Sequence, residues 1–329
     1  MKCALLNTPV LLLVFNRPDT TREVFEAIKK ARPAKLYVAA DAPRQNHLTD
    51  LKRSQQTLEI IKDVDWDCEI HTLFRNTNLG CKNAIGSAID WFFEHETEGI
   101  ILEDDCLPSP SFFTYCAELL ERYRHDTRIM MISGTNEQQH PKKICSDSYY
   151  FTKHMHIWGW ATWKRAWDLH DRQMSTLPNY IESGTYKNLF TDLNICLYWA
   201  KTWIQTYIGI INTWDHAWVY TCLINNGLAI APAKNLISNI GFGKDSTHTQ
   251  NTESENANRP RHNLTNLQHP TFTIANNHAD LLEYQAMRIY PEKPKKSLKY
   301  IIKRIRRANK YKKVIANTLE TGLSSSTSS

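Results

Sequence analysis

Apolar positions in the first hundred residues fall into short unbroken runs separated by polar stretches of helical period. Residues 9–15 (PVLLLVF) predict a strand buried on both faces. Asp19, Thr20 and Thr21 then open a helix with Val24, Phe25 and Ile28 on its apolar face, ended by Pro33. Residues 36–40 predict a second strand that stops at Asp41, residues 48–62 a polar helix, and 68–74 a third strand. A helix over 84–93 precedes a fourth strand, 99–102, which runs into Glu103, Asp104 and Asp105. Alternation at this pace implies an α/β fold, a mostly parallel sheet flanked by helices. In such sheets ligands bind beyond the carboxyl ends of the strands. Arg17, Asp41 and the acidic triplet all fall at those ends.

The second half is less regular. Residues 111–124 predict a helix, 129–133 a strand, and 157–167 a tryptophan-rich turn leading into a helix. Residues 175–212 are helical without a sharp signature, 215–225 form another helix closed by Gly227, and 228–231 a strand. Residues 245–277 are polar, rich in Asn, Thr and His, and predict a long mobile loop. No internal repeat is present.

Three adjacent carboxylates repel one another and need a positive partner. Their hard oxygens suit Mn²⁺ or Mg²⁺, ions that also bind substrate phosphates. The plainer reading is a solvated loop ahead of the helix announced by Pro108 and Ser109. Arg17 and Lys82 are candidate cations for a nucleotide diphosphate, Lys82 standing where a helix N-terminus itself favours anions. A solvated surface lysine is the alternative for Lys82. His154 and His156 form an HxH pair, which without further ligands is usually structural. Trp158, Trp160 and Trp163 are candidates to stack on sugar faces, although such residues more often fill cores.

Residues 103–115 (EDDCLPSPSFFTY) resemble the metal-binding segment of the N-acetylglucosaminyltransferase I family, an EDD followed by P-x-F-F-x-Y. Further stretches match in the same order: 9–17, 38–41, 157–163 (IWGWATW), 214–218 (WDHAW) and 240–248 (IGFGKDSTH). The resemblance covers roughly residues 9–250. It implies a GT-A (Rossmann-like) fold and metal-dependent, inverting sugar transfer. It implies that Asp105 holds the metal, Asp104 faces the ribose, Glu103 lies near the donor sugar and Asp41 holds the uracil. Arg17 would contact the nucleotide, His248 would close over the diphosphate, and Asp215 would be the catalytic base. For Asp215 the alternative is a helix cap beside Trp214. Two departures stand out: His216 replaces the second acid of the tryptophan–aspartate box, and an amino-terminal membrane anchor is missing. The first implies a different handling of the acceptor, and the second a bacterial-type cytoplasmic relative.

Composition changes this picture in one place. The 329 residues are 42% hydrophobic and 22% charged, which excludes collagenous, disordered and coiled-coil chains. The net charge of +6 conceals an asymmetry. Residues 293–313 hold eleven Lys or Arg and no acid, leaving 29 basic and 34 acidic residues elsewhere, a net of −5. Leu298, Ile301, Ile302 and Ile305 share one helix face there, so residues 293–317 predict a basic amphipathic helix on an anionic membrane surface. A helix docked on the body is the alternative, and sparse aromatics argue against a nucleic-acid partner. Residues 318–329 predict disorder. Residues 1–125 would form the nucleotide-sugar half and 126–290 the acceptor-side half of one domain. Eight scattered cysteines without a CxxC pair predict free thiols. No apolar run reaches a membrane span, so the expected location is cytoplasmic, peripheral on the inner face of the membrane. The expected reaction moves a sugar from a UDP-sugar to a glycan or lipid-linked acceptor. The alternatives are a family-2-like sugar transferase, a sugar nucleotidyltransferase, and a non-enzymatic carbohydrate-binding or membrane-associated scaffold.

Overall fold

The computed structural model describes residues 5–45, 47–138, 144–243 and 256–287. Within them the chain groups into two units, residues 5–170 with 221–283 and residues 171–220 with 284–287.

The first unit begins with β1 (Val10–Val14), buried at every position. Pro18 opens α1 (Pro18–Ala31), where its missing N–H has no helical partner to lose. Thr21, Val24, Phe25 and Ile28 bury one face of α1, and the left-handed Arg32 closes it by donating its N–H to the Ile28 carbonyl. β2 (Lys35–Ala40), α2 (Asp50–Ile60), β3 (Glu69–Phe74), α3 (Gly80–His95) and β4 (Glu98–Glu103) follow. Next come β5 (Cys106–Pro108), α4 (Pro110–Tyr123), β6 (Ile129–Ser133), β7 (Tyr149–Thr152), β8 (Trp160–Trp163) and α5 (Lys164–Trp167). Leu12 faces Val38 on one side and Leu102 on the other in parallel register, as unbroken apolar runs require.

The second unit holds α6 (Leu177–Glu182) and α7 (Leu193–Tyr207), the latter capped by the Asp192 carboxylate accepting from Asn194 N–H. Trp199 and Trp203 stack at 5.4 Å, Tyr180 and Tyr220 pack against Trp203, and Trp199 Nε1 donates to Tyr284 Oη at 2.8 Å. Thus the unsigned helical stretch is held by aromatic packing rather than by a regular apolar stripe. α8 (Asp215–Ile224) then leads back to β9 (Leu228–Pro232) and β10 (Ile237–Asn239), and α9 (Asn277–Ala286) is the last described helix.

The main sheet has the order β3-β2-β1-β4-β8-β6-β9-β7. Only β8 and β7 run against the rest, and β10 pairs with β5 in a separate two-stranded sheet. The expected α/β class, a mostly parallel Rossmann-like sheet flanked by helices, is therefore present. The carboxyl ends of β1, β2 and β4 lie at one edge, which brings Arg17, Asp41 and Glu103–Asp105 to the same side.

Three features differ from the sequence reading. Residues 160–163 are a strand inserted between β4 and β6, and only 164–167 are helical. α9 appears where no helix was expected. Residues 256–276 carry no helix or strand, as read, yet hydrogen bonds fasten them to the rest of the first unit. Asn258 N–H donates to Asn239 O at 3.0 Å, His262 N–H to Asn235 O at 2.8 Å, and Arg261 Nη1 to Pro108 O at 2.6 Å. Residues 244–255, with His248, and the basic segment 293–317 lie outside the described residues. The seven cysteines among the described residues form no disulfide. No described helix is long and apolar enough to cross a membrane.

Candidate functional site

The acidic end of β4 is neutralised from the end of β1. Arg17 Nη1 lies 2.6 Å from Asp105 Oδ2 and 3.7 Å from Asp104 Oδ1. Both carboxylates are buried, Asp104 at 7% and Asp105 at 9% exposure, so the pair is shielded from solvent screening. Burial alone would lower the Arg17 pKa, but Asp104 and Asp105 outweigh it and hold the guanidinium charged. Burial pushes the Asp104 carboxyl up to about 7, reinforced by Asp105 and opposed by Arg17 and the Phe15 N–H. That N–H donates to Asp104 Oδ2 at 3.1 Å, which ties the ends of β1 and β4 together. Asp104 is thus a strut of the edge, a role its position in the triplet does not announce.

Asp105 is covered from above. Ile240 N–H donates to the Asp105 carbonyl at 2.9 Å, and Gly241 lies so close that a Cβ there would overlap the Asp105 side chain. The Cys106 thiol, 3.5 Å from Asp105 Oδ1, is buried and its pKa is pushed well above the ordinary value. Glu103 ends β4 opposite Leu13 and is half-buried. Asp105 offers hard carboxylate oxygens of the kind a divalent ion takes, and here Arg17 is bound to one of them. In the structure described here, Arg17 supplies the balancing positive charge.

Asp41 has a different local task. Its carboxylate accepts from the N–H groups of Leu79 and Gly80 at 3.0–3.1 Å, and so caps α3 from the neighbouring strand end. Lys82 lies in the first turn of that helix, half-buried. Trp160 is 1% exposed at the start of β8 and packs against Trp167, so its ring belongs to the core rather than to an open sugar face.

Asp215 belongs to the second unit. It is the first residue of α8, half-buried, with Thr213 Oγ1 donating a hydrogen bond to its Oδ1. His216, which stands where the resemblance expects an acid, bonds through Nδ1 with Thr206 Oγ1 of α7 at 2.9 Å. A cavity of about 810 Å³ runs along α1 and β5, lined in part by Arg22, Lys30, Arg259 and Arg261. None of the sequence-predicted site residues lines it.

Sequence reasoning missed one cluster. His154, His156 and Glu283 are buried, and their ligand atoms all lie within 4.8 Å of one another, an arrangement that can hold a metal ion. Burial pushes the His154 pKa down to about 4. Burial would lower His156 too, but Glu283 and Glu137 raise it to about 8. Burial would raise Glu283, whereas His156 brings it down to about 2. The HxH pair was the only visible signal, because Glu283 arrives from a helix far along the chain.

No protein family matches the sequence, and no characterised protein matches it. Similar solved structures include an apo UDP-glucose pyrophosphorylase, at 8% identity and a TM-score of 0.35, covering 69% of this chain and 90% of that one. A UDP-glucose pyrophosphorylase complexed with UDP-glucose gives 9% identity and 0.30, covering 50% and 78%. HddC from Yersinia pseudotuberculosis gives 11% and 0.30, covering 48% and 77%. Likeness at this level assigns neither family nor activity to the chain. The N-acetylglucosaminyltransferase I resemblance therefore rests on the sequence motifs.

Proposed function

We propose that this protein is a GT-A-type, metal-dependent, inverting glycosyltransferase that moves a sugar from a UDP-sugar to a glycan or lipid-linked acceptor. UDP-GlcNAc is the first donor to try. The observation that supports this reading most is the convergence of Arg17, Asp104 and Asp105 at the carboxyl edge of a Rossmann-like sheet, beneath Gly241. A diphosphate bound there needs positive charge, and the edge offers both a guanidinium and oxygens suited to a divalent ion. Asp105 is the residue proposed to hold Mn²⁺ or Mg²⁺, whose charge would stabilise the departing diphosphate. Arg17 and Lys82 would bind the nucleotide, with Asp41 setting the strand end and α3 against which it lies. The Asp215 carboxylate would take the proton of the acceptor hydroxyl as that oxygen bonds the anomeric carbon and the sugar–phosphate bond breaks towards UDP. One carboxylate then suffices, unlike the pair used in glycoside hydrolysis.

Thermal stabilisation by UDP-, GDP- and CDP-sugars with and without Mn²⁺, followed by product analysis, tests this. The expected result is Mn²⁺-dependent stabilisation by a UDP-sugar and slow release of UDP. The same edge would serve a sugar nucleotidyltransferase about as well, and pyrophosphate release from UTP and a sugar 1-phosphate would move the assignment there. Binding without either product would leave a carbohydrate-binding scaffold.

Residues 293–313 are proposed, on their sequence alone, to bring the enzyme to an anionic membrane. Each cation contributes about 1 kcal/mol at most near such a surface. Full-length protein should float with anionic liposomes in a salt-sensitive manner, and a chain ending at Pro291 should not. Equal flotation of both forms would reject membrane binding through this segment.

A further inference from the structure

The cluster around His156 is built as metal sites are built, from ligands presented by two separate elements and fixed by a surrounding shell. His154 and His156 follow β7, two residues apart, with ring centroids at 4.4 Å. Glu283 comes from α9, and its Oε1 lies 3.1 Å from His156 Nε2. Ligand atoms of a tetrahedral site with bonds of about 2.0–2.1 Å lie about 3.3–3.4 Å apart. One pair already lies near that spacing and all the ligand atoms lie within 4.8 Å of one another, so a small closure of the side chains completes it.

Other groups hold these ligands in place. Gln138 Nε2 donates to the second Glu283 oxygen at 2.7 Å and to Ala279 O at 3.0 Å, which leaves Oε1 turned to the histidines. Glu137 Oε1 stands 3.9 Å from the other His156 nitrogen, Nδ1, and Asn256 Nδ2 donates to the second Glu137 oxygen, Oε2, at 3.0 Å. Metal-bound histidines are usually oriented by a carboxylate at the distal ring nitrogen, and Glu137 stands on that side, beyond hydrogen-bond distance. One turn before Glu283, Asp280 accepts from Thr152 Oγ1 and from Lys153 N–H at 3.2 Å. The backbone that carries His154 is therefore fastened to the helix that carries Glu283 independently of any ion.

From this geometry we infer that His154, His156 and Glu283 form a buried site for a Zn²⁺-class transition-metal ion, separate from Asp105, that fastens α9 to the sheet. Two imidazole nitrogens and one carboxylate oxygen suit Zn²⁺, Co²⁺ or Fe²⁺ rather than Mg²⁺, which prefers oxygen ligands. An ordinary buried ion pair between His156 and Glu283 is the competing account. It gives no reason for a second buried imidazole at 4.4 Å.

Co²⁺ titration of the chelator-stripped full-length protein, read by visible d–d absorption and thermal melting, decides between them. The expected result is a saturable signal at about one Co²⁺ per chain, displaced by Zn²⁺, with a higher Tm. His154→Ala and Glu283→Gln should each weaken Co²⁺ binding at least tenfold, and Gln138→Ala about tenfold. Asp105→Ala should leave the Co²⁺ signal intact, which separates this site from the nucleotide edge. A stripped wild-type protein that shows no Co²⁺ absorption and no Zn²⁺-dependent change in Tm would overturn the inference even if the variants fail to fold. Binding by His154→Ala and Glu283→Gln equal to that of the parent would overturn it as well.

Discussion

Replacing Asp105 by alanine is expected to reduce Mn²⁺-dependent UDP affinity by about a hundredfold or more, roughly 3 kcal/mol. The carboxylate is the proposed metal ligand, and it also fixes Arg17, whose Nη1 lies 2.6 Å away. Its removal leaves Arg17 with Asp104 at 3.7 Å and strips the edge of one of its two buried carboxyl groups. Both losses act on the diphosphate. Isothermal titration with UDP and Mn²⁺ reads the effect, while thermal melting confirms that the sheet persists. Asp105→Asn keeps the size of the side chain under Gly241 and should weaken UDP almost as much, because the charge is what matters. An affinity unchanged in both variants would remove Asp105 from the nucleotide site.

Asp215→Asn is expected to leave UDP-sugar affinity within about threefold while lowering the transfer rate by about 10²–10⁴-fold. The side chain is half-buried at the start of α8 and held by the Thr213 hydroxyl, an arrangement that fixes a carboxylate in one orientation. A carboxylate at a helix N-terminus also stabilises the helix, by about 0.3–1 kcal/mol. The two roles separate cleanly in the asparagine variant, which caps a helix almost as well as aspartate but cannot accept the proton. A normal transfer rate in Asp215→Asn would restrict Asp215 to capping.

Much of the sheet was readable because its central strands are buried on both faces. A run such as residues 10–14 has no polar positions to break it, and β1, β2 and β4 stand where those runs predicted. The helix α1 was equally plain, since its buried positions repeat with helical period ahead of Pro33, although it opens at Pro18 and Asp19, Thr20 and Thr21 lie inside it rather than capping it. Short strands carried no such signal. β8 is four residues long and reads as a tryptophan turn until β4 and β6 supply hydrogen bonds on both sides. Residues 256–276 look mobile because they are polar, but the backbone N–H groups of Asn258 and His262 and the Arg261 guanidinium find partners at Asn239, Asn235 and Pro108 that only the folded chain brings near.

The candidate site divides in the same way. By itself the sequence determined that Arg17, Asp41 and Glu103–Asp105 end their strands, because strand ends are written locally in the switch from apolar to charged residues. Tertiary structure alone decided what each one touches. It paired Arg17 with Asp105, turned Asp104 into a tie for Phe15, gave Asp41 to the start of α3 and buried Trp160. It also set Glu283 against two histidines that had seemed to lack a third ligand. The physical reason is range. Burial patterns and capping act between neighbours a few residues apart and leave a periodic trace. Charge pairing and ligand convergence depend on distances in space, which no spacing along the chain records.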